Sequence, residues 1–314
     1  MLVNLLAKRN FFIQIFIIAL FFGLGALNFN SIFLNNLEVI GFAVSLLTII
    51  YVNYVDMNNE LIAKNSYSTW FYMLWMMPSV AVLLDYKIAG SLLLITYITT
   101  KLLYFESENS NKFEAFDIGV FLGFAILLNP PLFIVGLVIL GYFLSLRAID
   151  SSIFILSILG LLVPILVFAQ VSYLMDFKFL ITFYKEALML DYFKFDIKQI
   201  FLVPIIIFIV MSFIDYVKNI NKEPVQIKRV FLLLNLMILS LIVTSALFGG
   251  SHLAYLPFLG FLFMILLSKY FAKEKPQANW VKETILWGFL ICMLFFNFYD
   301  RIPRIYSLIT EVSF

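Results

Sequence analysis

Glu38, Asp85, Lys87 and His252 are the side chains whose types and positions best suit chemistry on a charged small molecule. Each stands at the edge of an apolar run, and Asn28, Asn30, Asn35 and Asn36 lie just ahead of Glu38 in the chain. A carboxylate such as Glu38 in a dry cavity can act as a general base. A lysine or histidine beside it can hold a phosphate group. Plainer roles stand beside these. Glu38 at a helix start is favoured by the helix dipole. Asp85 and Lys87 suit a solvated turn, and His252 follows Gly249-Gly250-Ser251 as a loop histidine. A second set comprises Asp56, Glu60, Lys64, Glu106, Glu108, Glu114 and Asp117. Asp117 is expected at a helix start, where the dipole accounts for it. The Asp56–Asn65 stretch has too few acids, and no glycine spacing, for a calcium loop.

Positioning these groups falls to membrane helices. Hydrophobic residues make up 63% of the 314 residues, and mean hydropathy is +1.03. A soluble domain is roughly 45–50% apolar, and a folded interior cannot hide such a surplus. The excess must face lipid. A span needs about 20 apolar residues. Eleven stretches qualify as candidates: 11–27, 37–55, 69–85, 88–104, 115–129, 131–146, 151–174, 199–217, 230–248, 253–271 and 280–299. The fifth and sixth are short and suit a tilted or re-entrant hairpin, which needs protein cover. The fold class expected is therefore all-α, one polytopic bundle over residues 1–314 with no soluble domain.

Basic residues orient the bundle, because cytoplasmic loops are rich in them. With the N-terminus inside, 14 of the 21 Lys and Arg residues fall on the cytoplasmic side, with Lys218–Arg229 as the strongest anchor. This predicts a bacterial inner-membrane protein with its C-terminus outside, and puts Glu38, Asp85, Lys87 and His252 on the outer side. Lys8-Arg9 ahead of an apolar run reads as a retained signal anchor. The longest stretch outside the spans, about 175–199, carries Phe177, Leu180, Ile181, Tyr184 and Leu188 at helical spacing. It is expected to form an interfacial amphipathic helix over about 176–190.

Several functions are disfavoured. A net charge of +2 gives no basic field for nucleic acid. The lone Cys292 allows no intrachain disulfide, and the lone His252 no multi-histidine metal site. The phosphate-binding, dinucleotide, nucleophile-elbow and zinc-protease motifs are missing. No inverted repeat marks a transporter, because the Pro130-Pro131 break has no counterpart in the second half.

Three segments in order resemble the integral-membrane (GT-C-type) glycosyltransferases that use polyprenyl-phosphate sugars. The first runs from Phe116-Asp117-Ile118-Gly119 through Gly123 and Ala125 to Asn129-Pro130-Pro131, a small-residue helix ending in a proline turn. The second is Ile158-Leu159-Gly160-Leu161-Leu162-Val163-Pro164. The third is Ser251-His252-Leu253-Ala254-Tyr255-Leu256-Pro257. The resemblance implies a GT-C-like bundle and sugar transfer in envelope glycan metabolism. Glu38 would be catalytic, with Asp85, Lys87, His252 and Tyr255 binding substrate. No cofactor is implied, although a divalent metal at Glu38 is compatible. The partners implied are membrane lipid and a polyprenyl-phosphate sugar. Those enzymes usually keep their acid in a long first outer loop, whereas here residues 28–36 are short and acid-free. That departure suits a different class, a non-catalytic subunit of an envelope complex with a protein partner. A small-molecule or lipid transporter is the third reading. Asn58–Tyr67 and the Phe116-Asp117 helix also resemble polytopic inner-membrane proteins of unknown function from Bacteroidota, which implies no activity.

Overall fold

A computed structural model describes residues 2–8, 10–27, 34–58, 65–105, 112–146, 151–175, 182, 184–219, 225–249, 254–272 and 279–299. Their regular structure is all helical. The α-helices are α1 (Leu2–Ala7), α2 (Phe11–Ala26), α3 (Asn36–Asn58), α4 (Tyr67–Met76), α5 (Tyr86–Tyr104) and α6 (Lys112–Leu128), followed by α7 (Phe133–Leu146), α8 (Ser151–Met175), α9 (Val203–Asn219), α10 (Val225–Phe248), α11 (Leu256–Ala272) and α12 (Asn279–Phe298). Among the described residues, five stretches are long and apolar enough to cross a bilayer: Asn36–Asp56, Ser151–Leu174, Ile197–Lys218, Lys228–Phe248 and Asn279–Phe298. Phe11–Ala26, Pro130–Ser145 and Leu256–Phe271 are shorter apolar helices. Phe12, Ile50, Leu166, Ile207 and Leu239 are exposed on the outside of the bundle, as lipid-facing residues would be. The described residues are thus all helical in their regular structure and have the long apolar helices of a membrane protein.

Two expectations need correction. The stretch 69–85 is not one helix. It breaks after Met76 into two 3₁₀ turns, Met77–Ser79 and Val82–Leu84. Pro78 is the cause, since it has no N–H for the Leu74 carbonyl and its ring crowds that turn. The sixth helix starts at Lys112, so Glu114, not Asp117, occupies its first turn.

All ten residues of α4 are buried. It packs on α2 and α11 through ring contacts, with Phe21–Trp70, Phe71–Phe271 and Trp75–Phe263 each 5.0 Å between centroids. Such edge-on and tilted pairs add to simple burial. Trp75 Nε1–H also donates to the Leu256 carbonyl at 2.7 Å.

α6 and α8 approach each other backbone to backbone. A Cβ on Gly119 would lie 2.2 Å from the Ser157 carbonyl oxygen, and one on Gly160 2.2 Å from that of Phe116. A Cβ on Gly123 would lie 2.4 Å from Pro164 Cγ. Small residues let membrane helices meet this closely, which matters because lipid is as apolar as the helix surfaces. Gly123 leaves the notch that the Pro164 ring fills.

Polar contacts fasten both ends of the bundle. At one end, the Leu2 and Val3 N–H groups donate to Glu283 at 2.8 and 2.9 Å, and the Ser66 N–H donates to the Leu6 carbonyl at 2.9 Å. Lys282 Nζ donates to the Phe271 carbonyl at 2.7 Å. At the other end, Asn297 Nδ2 donates to the Leu24 carbonyl at 3.3 Å. There too, the Asp191 and Phe193 N–H groups donate to Leu247 and Ala246, each at 3.0 Å.

Candidate functional site

Glu38 belongs to the first turn of α3, whose opening backbone bond runs from the Val39 N–H to the Asn35 carbonyl at 2.9 Å. The Asn35 N–H in turn donates to Glu38 Oε2 at 2.7 Å. This is the acidic half of a capping box, in which the residue three places into a helix reaches back to the cap. One carboxylate oxygen is thus held in a structural bond, and the side chain stays partly exposed.

One turn further along, Gly41 brings α3 against the second 3₁₀ turn: a Cβ there would lie 2.2 Å from the Leu84 carbonyl oxygen. The next residue is Asp85. It caps α5, its carboxylate accepting the Lys87 N–H at 2.9 Å. Asp85 is exposed and Lys87 half-buried. One turn down α5, Gly90 faces the end of α6, where a Cβ would lie 3.0 Å from Leu128 Cδ1. The chain then passes through Asn129 in an extended conformation, φ −140 and ψ 87, ahead of Pro130. The Asn129 carboxamide oxygen accepts a 3.2 Å hydrogen bond from the buried Tyr255 hydroxyl, just before α11.

This chain of contacts brings the segments bearing Glu38, Asp85, Lys87 and Tyr255 to one end of the bundle. His252 lies outside the described residues. The sequence marks Asn129 only as part of the proline turn, not as a polar partner. The residue before a proline is held extended, so its carboxamide is free to reach another segment. Replacing Tyr255 by Phe should lower stability by about 1 kcal/mol, the usual value of one such bond. A small drop in the unfolding midpoint in detergent, with unchanged yield, would register it.

Of the expected interfacial helix, Phe177, Leu180 and Ile181 lie outside the described residues. Residues 184–187 are helical, and the Leu188 N–H donates to the Tyr184 carbonyl at 3.0 Å. Tyr184 meets Phe168 at 6.4 Å between centroids, and its partial burial raises the pKa of the phenol. Among the described residues, no three His, Cys, Asp or Glu side chains stand together as a metal site would require.

No curated protein and no solved structure matches the chain significantly. A model of a protein family of unknown function, DUF6427, matches residues 1–306. The chain is therefore a member of the DUF6427 family.

Proposed function

We propose that this membrane protein transfers sugar from a polyprenyl-phosphate donor during assembly of a cell-envelope glycan. The observation that carries this reading is the union of the three resembling segments. Gly119 and Gly123 of the first pack on Leu161 and Pro164 of the second, and Gly160 of the second packs on Phe116 and Val120 of the first. Asn129 of the first bonds Tyr255 of the third. A GT-C-like scaffold would bring the same stretches together, with candidate polar groups gathered at one end.

In this reading the chain sits in the inner membrane of a bacterium of the Bacteroidota. Its N-terminus is cytoplasmic, and the Glu38 end faces outward. Glu38 takes the proton from an acceptor hydroxyl, whose oxygen attacks the anomeric carbon. The bond to the phosphate oxygen breaks, and the lipid phosphate leaves with the electron pair. Lys87 and His252 would serve that phosphate, and Asp85 and Tyr255 would help hold the substrate.

Glu38→Gln is the informative variant. Its carbonyl oxygen can still accept the Asn35 N–H, so the cap survives while the base is lost. In a strain lacking the protein, Glu38→Gln should insert normally yet fail to restore the altered glycan. A lost general base costs roughly 10²–10⁴ in rate. Full restoration would overturn a catalytic Glu38. It would favour the second reading, a non-catalytic subunit of an envelope complex, which the capping bond of Glu38 already supports.

A further inference from the structure

α5 is flanked by α3 on one side and α6 on the other. Tyr97 of α5 joins the three, its ring 6.0 Å from that of Tyr51 on α3 and 4.7 Å from that of Phe121 on α6. The outward face of α5 is therefore the floor of a groove with two helical walls. Residues three and four apart share a helix face, so each helix lends the groove one stripe. On α3, Leu47 and Ile50 lead to Tyr51 and Tyr54. On α5, Leu94 and Tyr97 lead to Lys101 and Tyr104. On α6, which runs the other way, Phe124 and Phe121 lead back to Asp117 and Glu114. Every stripe thus turns from apolar to polar toward the end of the bundle away from Glu38. Leu47, Ile50, Tyr54, Tyr104 and Phe124 are exposed, so the groove opens outward.

The polar end holds charges of both signs. Lys101 lies in the last turn of α5, half-buried, with its Nζ 5.9 Å from the centre of the Tyr97 ring. A cation resting on a ring face keeps its N–H donors for another partner. Gly90 meets Leu128 and Tyr97 meets Phe121, which fixes the antiparallel register of α5 and α6. In that register Asp117 comes level with Lys101, and Glu114 with Tyr104. Among the described residues, neither carboxylate forms an ion pair with Lys101 or with any other cation. The charges face one groove without meeting each other. An amphiphile with a phosphate and an ammonium at one end and hydrocarbon behind them matches this layout. Its phosphate accepts from Lys101 and the tyrosine hydroxyls, and its ammonium donates to Asp117 and Glu114. Its hydrocarbon lies along Leu47, Ile50 and Phe124. A headgroup with negative charge alone would face two carboxylates, and a choline headgroup has no N–H to donate.

We propose that the groove between α3, α5 and α6 binds one phosphoethanolamine phospholipid, its headgroup at Lys101, Asp117 and Glu114. The site stands apart from the sugar-transfer reading and uses none of its catalytic or substrate-binding residues.

The test is native mass spectrometry of the full chain in detergent, titrated with phosphatidylethanolamine, phosphatidylglycerol or phosphatidylcholine of identical acyl chains. One phosphatidylethanolamine should be retained per chain, at a half-saturating concentration about tenfold below that of either other lipid. Lys101→Gln and Asp117→Asn should each raise that concentration about tenfold, the scale of one charge-assisted hydrogen bond. Lys218→Gln removes an exposed cation from the last turn of α9, at the same end of the bundle, and should change nothing. Equal retention of the three lipids would mean ordinary surrounding lipid and would overturn the proposal. Tighter phosphatidylglycerol would overturn it in favour of an acidic lipid. Should Lys101→Gln fail to fold, the exposed Asp117 decides, and unchanged retention by Asp117→Asn overturns the site.

Discussion

Leucine at Gly119 is expected to prevent the folded protein from accumulating. The position has no room even for a methyl group, since a Cβ would lie 2.2 Å from the Ser157 carbonyl oxygen and 2.9 Å from the Leu161 nitrogen. The obstruction is backbone, so no side-chain rotation relieves it. α6 and α8 would have to separate along the seam where Gly123 and Gly160 also meet the opposite helix. Overpacking a tight interior costs about 1–3 kcal/mol, and more when backbone must move. Losing the whole seam belongs to the rare class above roughly 4 kcal/mol. Gly288 provides the contrast, because nothing lies within 4 Å of a Cβ built there. Gly288→Ala should leave the protein unchanged or add about 0.5–1 kcal/mol, as Ala is favoured over Gly inside helices. The measurement is the monodisperse yield and unfolding midpoint of both variants. Normal yield of Gly119→Leu would show that the helices do not pack as described.

The second large effect is expected at Trp75. Its indole is 4% exposed, meets Phe263 edge-on and donates to the Leu256 carbonyl. Gly260 lies flat against it, with a Cβ there 3.0 Å from Trp75 Cδ1. Trp75→Ala removes the ring, leaves a cavity between α4 and α11, and strips the Leu256 carbonyl of its donor. Truncating a buried Trp to Ala costs about 3–5 kcal/mol. Trp75→Phe keeps most of the volume and should lose closer to 1–2 kcal/mol, mainly the hydrogen bond. A midpoint ordered wild type, Phe, Ala is the expected outcome. Equal effects of Phe and Ala would place the stabilisation in the hydrogen bond alone.

These sites differ in how far the sequence disclosed them. The small-residue face of 116–129 and its stop at Pro130 are visible as spacing, because glycines one turn apart can only mean close approach or weakness. Their partner was not visible. That Ser157, Leu161 and Pro164 receive Gly119 and Gly123 depends on helix rotation, which hydropathy does not encode when both helices are apolar all round. The break at Pro78 was missed, because the apolar run across it read as one span. Hydropathy averages over backbone hydrogen bonds that proline removes. Asp56 looked like one acid in a weak loop. In the fold it is buried beside Thr69 and Tyr72 of α4, a neighbourhood that the spacing along the chain does not reveal. Glu38 was legible as an acid at a helix start, and its bond to Asn35 follows the usual capping geometry.

The burial of α4 bears on how this chain is made. Ribosomes deliver α4 early, whereas α11, which supplies the Leu256 carbonyl and the Phe263 ring, is synthesised 181 residues after Trp75. Until then a ten-residue helix with Ser68, Thr69 and two tryptophans has no permanent neighbour on that side. Joining partners so far apart along a chain is slow, because the loop must close before any contact is gained. The nascent protein therefore passes through a stage in which its central helix waits half-covered. During that stage, membrane chaperones and proteases would find it most open to capture.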